Sequence, residues 1–446
     1  MKEIQPSTYI KYNNNNMLSS ERLIAKDPRI DPRVRRFNQK LIELLEPVEQ
    51  KMKEQNIHGL QDIHLDPSLT RIETIKMMRK ELATYGIFLY NEINKLPRDK
   101  VESVIGPLKE GEPIRLHSGY LPETREYDYL YTNEGLDVDN SQSFTSTIDN
   151  NIVKVSIIKP TTLKAPYPTV VYYHGGGMTQ SSAFGPQYQR WFKTLARQGL
   201  CIIGVDFRNA GFADPANPTN PIAPFPAGAN DCYAGLKWVY DNAEKLNVDR
   251  NRILIAGESG GGNLSISTAL KAKEEGTMHM MSSGVYAMCP YIAGTWNGNE
   301  IWSDRLGISH KENFGIVLKI PIDNDPNAYV YGQKMYCSED KTNWFNPKAW
   351  PGYATVEDLK DLPRMMISVN ECDPLRDEGI CFYRKLSKAN VKAYCRTVLG
   401  TCHGGDSIVY DKCVPDVCLQ TARDISQFAR FNDHHPYDMK VNDAKL

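Results

Sequence analysis

The sequence predicts an α/β protein with a mostly parallel central sheet that is covered by helices on both faces. From about residue 112, apolar strand-like runs alternate with helix-length segments, which is typical of parallel sheets. A second observation is an apolar, strand-like run that is joined to a helical pattern by a glycine-rich turn. The predicted strands are 125–132, 152–158, 169–173, 200–206, 252–257, 284–289, 365–370 and 392–398. The helix-length segments between them include 187–198, 231–246, 261–275 and 377–389.

Composition limits the classes of partner. The chain has 446 residues with 53 Lys and Arg against 54 Asp and Glu, so its formal net charge is −1 and no basic surface field favours nucleic acid. A small molecule is the expected partner. Neither a signal-like N-terminus nor a run of about 18 apolar residues is found, which predicts a cytoplasmic protein without a membrane span. The ten cysteines include no C-x-x-C pair, so reduced thiols are expected, with no metal and no cofactor.

The regions outside the alternating pattern predict a cap. Residues 1–20 are polar and predicted to be flexible, and 21–110 are predicted to form a helical addition. Its apolar stripe begins near Pro32 and is expected to be disturbed at Pro47, and further helices are predicted at 67–85 and 88–105.

The catalytic domain is predicted at 111–290 and 361–446, interrupted by an insertion at 291–360. The insertion contains four of the six tryptophans, which favours a cap over the carboxyl edge of the sheet, although a surface insertion is the alternative.

A nucleophile is predicted where a strand turns into a helix. Ser259 is the central residue of Gly-Glu-Ser-Gly-Gly, which follows the apolar run 253–256 and precedes a helical pattern. This is G-x-S-x-G in a strand-turn-helix context, in which flanking glycines relieve the crowding of a strained serine. The alternative is a helix in which Ser259 is only the N-cap.

A serine nucleophile requires a base and a carboxylate further along the chain. Five histidines follow Ser259: His279, His310, His403, His434 and His435. We predict His403 as the base because it follows the strand at 392–398 directly. Asp373 follows the preceding strand and comes before Pro374, whereas Asp377 and Glu378 are expected to cap the next helix.

Main-chain donors for an oxyanion are predicted in the stretch YYHGGG. The glycines after the strand at 169–173 allow a ligand to approach backbone N–H groups. The predicted donors are Gly175, Gly176 and Gly177, together with Gly260 after the nucleophile. Without the other motifs, this stretch could equally be a glycine-rich turn.

Together these motifs resemble the hormone-sensitive lipase family of α/β-hydrolases, which includes bacterial carboxylesterases and arylacetamide deacetylase. The resemblance covers about 165–430 and includes YYHGGG, GVDFRNA, PFPAGANDCYAGLKWV, GESGGGNLSISTALKAKEEG, DPLRDEG and His403. It implies the α/β-hydrolase fold, a triad of Ser259, Asp373 and His403, and oxyanion donors at Gly176 and Gly177 joined by Gly260. It also implies that His174 organises the glycine loop.

Several positions depart from this family pattern. Family members commonly have Asp and Ala where this chain has Glu258 and Gly260, and Gly-Phe where Gly404 and Gly405 follow the histidine. The segment GFADPANPTNPIA lengthens a loop at the edge of the site.

The resemblance implies a serine carboxylesterase that hydrolyses small to medium esters through an acyl-enzyme. An amidase, thioesterase or lactone hydrolase with the same triad is an alternative from the same chemistry. A non-catalytic ligand receptor is the alternative from another class, because gibberellin receptors resemble esterases that have lost the triad histidine. The oligomeric state stays open, with a homodimer among the options. Cys372 and Cys402 each precede a triad residue, so they are expected to be neighbours, with a disulfide as one alternative.

Overall fold

A nine-stranded sheet forms the centre of the protein. The computed structural model describes residues 18–57, 68–106, 121–294, 312–313 and 333–431. The strands are β1 (Leu136–Asp139), β2 (Ser143–Thr145), β3 (Ile152–Pro160), β4 (Tyr167–Tyr173), β5 (Cys201–Asp206), β6 (Val248–Glu258), β7 (Gly284–Met288), β8 (Met365–Cys372) and β9 (Ala393–Cys402). Their order is β1-β3-β5-β4-β6-β7-β8-β9, and β2 pairs with β3. All pairs from β5 to β9 are parallel, and those that involve β1, β2 and β3 are antiparallel.

Helices connect most of these strands. They are α1 (Ser19–Lys26), α2 (Pro32–Glu54), α3 (Arg71–Ile93), α4 (Arg98–Ile105), α5 (Pro186–Ala196), α6 (Ala227–Asp241), α7 (Ala243–Leu246), α8 (Gly260–Glu274), α9 (Met335–Cys337), α10 (Val356–Leu359), α11 (Arg376–Lys388) and α12 (Pro415–Arg430). Short 3-10 helices occur at Pro122–Tyr131, Met278–Met280, Lys341–Asn343 and Pro351–Tyr353. None of the helices in the described ranges is both long and apolar enough to span a membrane.

The sheet is buried on both faces, as its continuous apolar strands require. Every residue of β4, β5 and β7 is buried. Side chains of α6, α8 and α11 form one core layer, which includes Leu236, Leu264 and Phe382. Side chains of α5 and α12 form the other, which includes Trp191 and Ile425. The predicted α/β-hydrolase sheet is therefore confirmed.

The N-terminal helices pack over one end of this sheet. Val34 and Phe37 of α2 share a buried cluster with Cys372 and Cys402, the last residues of β8 and β9. The backbone N–H of Asp31 also donates to the Gly400 carbonyl of β9 at 2.9 Å. This part of the chain therefore covers the carboxyl edge where the site residues were predicted.

One strand prediction was wrong. The segment predicted as a strand at 125–132 belongs to the 3-10 helix Pro122–Tyr131. Its two buried residues, Thr124 and Leu130, are six positions apart. A 3-10 helix has three residues per turn, so both lie on one face, whereas the alternating tyrosines only imitate the period of a strand.

The helix α2 is not interrupted at Pro47, where its apolar stripe was expected to be disturbed. It continues to Glu54, and Val48 and Met52 beyond the proline are buried. A proline inside a helix costs about 3 kcal/mol, and burial of each such side chain contributes about 1.5–3 kcal/mol. Burial of the continued apolar stripe therefore offsets the lost hydrogen bond.

The boundaries of the next helices also differ from the prediction. The helix α3 begins at Arg71 because Thr70 and Glu73 form a capping box, and it extends to Ile93. Most of the predicted flexible segment 1–20 lies outside the described residues, although α1 already begins at Ser19. About half of the insertion 291–360 also lies outside the described residues, as do Trp296, Trp302, His310, His434 and His435. The domain boundaries stay a prediction.

Candidate active site

Ser259 lies at the turn between β6 and α8 in a strained conformation. Its φ of 57° and ψ of −119° are uncommon for a residue with a side chain. Three backbone hydrogen bonds hold this conformation: the Ser259 N–H donates to Met288 at 2.9 Å, and the Ser259 carbonyl accepts from Asn263 and Tyr291, each at 3.0 Å. The Ser259 hydroxyl makes no capping bond to α8. The geometry therefore gives the N-cap alternative no support.

The glycines beside Ser259 are required by close backbone approaches. A Cβ on Gly261 would lie 1.9 Å from the Tyr173 carbonyl oxygen, and one on Gly257 would lie 2.4 Å from the same atom. Real atoms do not pack at such distances, so only glycine permits β6 and α8 to meet β4 here. This close packing fixes where the serine is presented.

Asp373 and His403 are brought together by the register of β8 and β9. Cys372 pairs with Cys402 in these parallel strands, so the residues that follow leave the sheet side by side. His403 Nδ1 lies 2.8 Å from Asp373 Oδ2, and Asp373 Oδ1 accepts a hydrogen bond from the Leu375 N–H at 2.8 Å. Both carboxylate oxygens are therefore occupied, which fixes the ring of His403.

The electrostatics of this pair suit a base. Burial lowers the pKa of His403, but the Asp373 carboxylate and the neighbouring Cys289 together raise it by more, so the pKa lies well above the ordinary 6.5. Within the described residues, no hydrogen bond joins Ser259 Oγ to His403. Catalytic hydrogen bonds are often long before substrate binds. The three side chains follow β6, β8 and β9, which end at the same edge of the sheet.

The Gly175 N–H has intramolecular partners, which contradicts its prediction as an oxyanion donor. It donates to Glu258 Oε1 at 2.7 Å and to the Tyr188 hydroxyl at 2.9 Å. A donor with two buried acceptors cannot also bind a developing oxyanion. Gly175 is therefore better described as the attachment point of the glycine loop.

The other three predicted donors have no acceptor among the described residues. In the described part of the chain, no protein acceptor is found for the N–H groups of Gly176, Gly177 and Gly260. A Cβ on Gly260 would lie 2.9 Å from the Gly177 nitrogen and 2.6 Å from the Met178 nitrogen. The glycine loop therefore passes directly beside the residue that follows Ser259, as an oxyanion hole requires.

Sequence reasoning missed the role of Glu258. This fully buried carboxyl accepts hydrogen bonds from the Tyr172 hydroxyl at 2.5 Å and the Tyr188 hydroxyl at 2.6 Å, besides the one from Gly175. Burial raises the pKa of Glu258. Glu258 contacts the glycine loop at Gly175, and Gly260 lies against the same loop at Gly177 and Met178, so both departures from the family pattern adjoin this loop. The only sequence signal was this double departure from the family pattern.

His174 contacts the loop rather than the reaction edge. Its ring is fully buried and stacks on Phe207 with centroids 4.0 Å apart. Its Nδ1 lies 2.8 Å from the Gly175 carbonyl oxygen, and burial lowers its pKa. Asn217, in the lengthened loop, donates to nearby Asp206 at 2.6 Å. A neutral, packed imidazole fits the expected organising role.

The turn after His403 is held by a second residue that the sequence did not reveal. Buried Asn370 of β8 accepts a hydrogen bond from the Gly404 N–H at 3.2 Å and donates to Thr401 at 2.7 Å and to Asp406 at 2.9 Å. Gly404 has a φ of 63°, which favours glycine. This explains why the chain has Gly404 directly after the histidine.

The residues around Asp373 include the start of α11, Asn313 and two thiols. Asp377 and Glu378 were expected to cap α11, but they lie in its first turn, and the N-cap position is Leu375 with no side-chain capping bond. Glu378 instead accepts a hydrogen bond from the Ile292 N–H at 3.0 Å. Asn313 donates to the Asp373 carbonyl at 3.1 Å. The neighbouring thiols Cys372 and Cys402 are both free and buried, so the disulfide alternative is not found.

Comparison with known proteins agrees with the fold. A family model described as the α/β hydrolase fold matches residues 170–406. Carboxylesterase NlhH of Mycobacterium tuberculosis is 30% identical over 280 residues, which cover 62% of this chain and 78% of the relative.

Solved structures extend the similarity over most of the chain. The structure of esterase Est22 with p-nitrophenol has a TM-score of 0.67 and 35% identity, covering 91% of this chain and 99% of its own. Brefeldin A esterase, described as a bacterial homologue of human hormone-sensitive lipase, has a TM-score of 0.63 and 29% identity, covering 91% and 94%. The chain belongs to the α/β-hydrolase family and is related to the hormone-sensitive lipase group that its motifs resemble.

Proposed function

We propose that the protein is a serine carboxylesterase in which Ser259 is the nucleophile, His403 the general base and Asp373 the residue that orients the base. The observation that supports this most directly is the 2.8 Å contact between His403 Nδ1 and Asp373 Oδ2 at the edge where Ser259 is presented. A fixed imidazole with its Nδ1 proton bound to a carboxylate leaves Nε2 to accept a proton.

The reaction would proceed in two steps. His403 takes the proton from Ser259 as the hydroxyl attacks the ester carbonyl, and it then returns this proton to the leaving alcohol. The alcohol departs and an acyl-enzyme forms on Ser259. Water, deprotonated by the same imidazole, then attacks the acyl group and releases the carboxylic acid.

Backbone N–H groups would stabilise the two tetrahedral intermediates. We assign this role to Gly176, Gly177 and Gly260, because the described structure gives these groups no other acceptor. The N-terminus of α8 follows Ser259 directly and adds a favourable dipole. Loss of one such donor costs on the order of 10²–10³-fold in kcat.

Esters of small to medium size are the proposed substrates. Relatives named carboxylesterase and arylesterase support ester hydrolysis, and p-nitrophenol in the Est22 structure supports an aryl ester as an assay substrate. An amidase, thioesterase or lactone hydrolase shares the triad, but no relative reported above has such a name. A non-catalytic receptor is disfavoured, because His403 is present and paired with Asp373. The cytoplasmic location and the homodimer stay predictions.

Hydrolysis rates on a substrate series test the proposal. We expect p-nitrophenyl acetate, butyrate and octanoate to be hydrolysed, with kcat/KM falling at the longest chain and a matched p-nitroanilide hydrolysed far more slowly. The Ser259→Ala variant, with wild-type circular dichroism, should hydrolyse none of them. Equal kcat/KM for the anilide would favour an amidase, and wild-type hydrolysis by Ser259→Ala would overturn the assignment.

A further inference from the structure

A buried thiol lies beside the Asp373–His403 pair and takes no part in the proposed reaction. Cys289 follows β7 directly and is 1% exposed. Its backbone has a positive φ of 32°, and its N–H donates to the Ser368 carbonyl at 2.7 Å. Positive φ is uncommon for residues other than glycine and is found most often at functional sites. Its presence beside a reactive pair is therefore a reason to ask what the Cys289 side chain binds.

The Cys289 sulfur belongs to a compact set of three potential metal ligands. Its Sγ, one ring nitrogen of His403 and one carboxylate oxygen of Asp373 all lie within 4.8 Å of one another. All three residues are buried. Among the described residues, no other group of three His, Cys, Asp or Glu side chains is this close.

These three donor types together match one class of cation. Zn²⁺ binds thiolate at about 2.3 Å, imidazole nitrogen at about 2.0–2.1 Å and carboxylate oxygen at about 2.0–2.2 Å, most often with four ligands in a tetrahedron. Donors on such a tetrahedron lie about 3–4 Å apart. The three atoms therefore need movements of about 1 Å or less, and a water molecule can supply the fourth ligand.

We propose that Cys289, Asp373 and His403 form an inhibitory binding site for a thiophilic divalent cation such as Zn²⁺. Coordination replaces the hydrogen bond between His403 and Asp373 with bonds to the metal, and the Cys289 thiol releases its proton to solvent. No electrons are transferred.

Either ring nitrogen gives the same functional result. A cation on Nδ1 leaves the imidazole proton on Nε2, and a cation on Nε2 occupies the basic lone pair itself. In both cases His403 cannot take a proton from Ser259. Inhibition rests on the proposed function, whereas cation binding does not.

Cobalt provides a readout that is independent of activity. Co²⁺ occupies Zn²⁺ sites, and a thiolate ligand gives it an intense charge-transfer absorption in the near ultraviolet. Metal-free full-length protein titrated with Co²⁺ should develop this band with one equivalent bound, and Zn²⁺ should abolish it by displacement. The Ser259→Ala variant should give the same band although it hydrolyses no ester.

Two variants and one control identify the ligands. Cys289→Ser and His403→Gln should each lose the band, with folding checked by circular dichroism. Cys201→Ser is the matched thiol control, because Cys201 is also a free, buried thiol but is the first residue of β5, at the amino end of that strand. This variant should keep both the band and the esterase activity. Loss of an outer-sphere partner alone weakens metal binding about 10–100-fold, so Cys289→Ser should raise the half-inhibiting Zn²⁺ concentration at least about tenfold.

The outcomes separate the two proposals. A wild-type protein that shows no cobalt band, or a Cys289→Ser variant with an unchanged band and unchanged Zn²⁺ inhibition, overturns the metal site. A cobalt band in a wild-type protein that hydrolyses no ester supports the site and contradicts the proposed function instead.

Discussion

The Gly175 N–H donates to Glu258 Oε1 at 2.7 Å, and this hydrogen bond joins the glycine loop to the residue that precedes Ser259. The same carboxyl oxygen accepts from the Tyr188 hydroxyl, and the other oxygen accepts from Tyr172. The position of the proposed oxyanion donors relative to the nucleophile therefore depends on one buried side chain. Glu258 is a positioning residue, since it acts through the loop.

Removal of the Glu258 side chain should lower kcat more than it raises KM. In Glu258→Ala the Gly175 N–H keeps only the Tyr188 hydroxyl as an acceptor. The loop is then less firmly held and the oxyanion donors lose their alignment, so we expect kcat to fall about 10–100-fold. Glu258→Gln keeps an acceptor oxygen of the same reach and should recover much of kcat. Steady-state kinetics on a p-nitrophenyl ester measure both parameters.

Tyr172→Phe is the control for this prediction, because it removes a hydrogen bond to Glu258 but leaves the Gly175 contact in place. We expect it to lower stability by about 1 kcal/mol with little change in kcat. If Tyr172→Phe and Glu258→Ala reduce kcat equally, Glu258 has only a structural role.

The change Gly260→Ala should strongly reduce activity, although it introduces the residue that family members commonly have at this position. The added Cβ would lie 2.6 Å from the Met178 nitrogen and 2.9 Å from the Gly177 nitrogen, which are backbone atoms without freedom to rotate away. We expect kcat/KM for a p-nitrophenyl ester to fall about 100-fold.

The matched control is Gly86→Ala, since a Cβ at Gly86 in α3 meets no atom within 4 Å. This variant should keep wild-type activity and gain about 0.5–1 kcal/mol of stability, measured by chemical denaturation. Full activity of Gly260→Ala would show that the loop can move away from the new methyl group.

As the pH is lowered, activity should be lost at a pH above the one at which an ordinary histidine becomes protonated. Catalysis needs neutral His403, and a raised pKa means that the imidazole becomes protonated at a higher pH, so the acidic limb of kcat/KM should have its midpoint above 6.5. In Asp373→Asn the neighbouring negative charge is absent, so the midpoint measured on the residual activity should move down. An acidic limb that is identical in both proteins would contradict a role for Asp373 in setting the pKa of this base.

Local sequence patterns predicted the long strands and helices correctly. They failed where contacts between distant residues determine the local structure. The apolar strands β4 to β9 and the helices between them follow from sequence, and the comparisons confirm the fold and the family. The strands β1 and β2 were missed because runs of four and three residues are too short to show a period. Pro47 was misjudged because its effect depends on burial elsewhere along α2.

The active-site residues also divide into those that the sequence predicted and those that only the structure reveals. Ser259, Asp373 and His403 were chosen from motif order, which needs no coordinates. The hydrogen bonds of Gly175 could not be foreseen, because they depend on how far the side chain of Glu258 reaches across two strands. Asn370 and Cys289 are likewise visible only once β7, β8 and β9 lie side by side.

Covalent labelling of Ser259 tests the central claim most directly. The full chain should react with a fluorophosphonate, lose esterase activity in proportion to labelling, and show the added mass on the peptide that contains Ser259. His403→Ala should react far more slowly, because the hydroxyl then lacks its base. Absence of labelling in an active wild-type enzyme, or the added mass on a residue other than Ser259, would contradict the account.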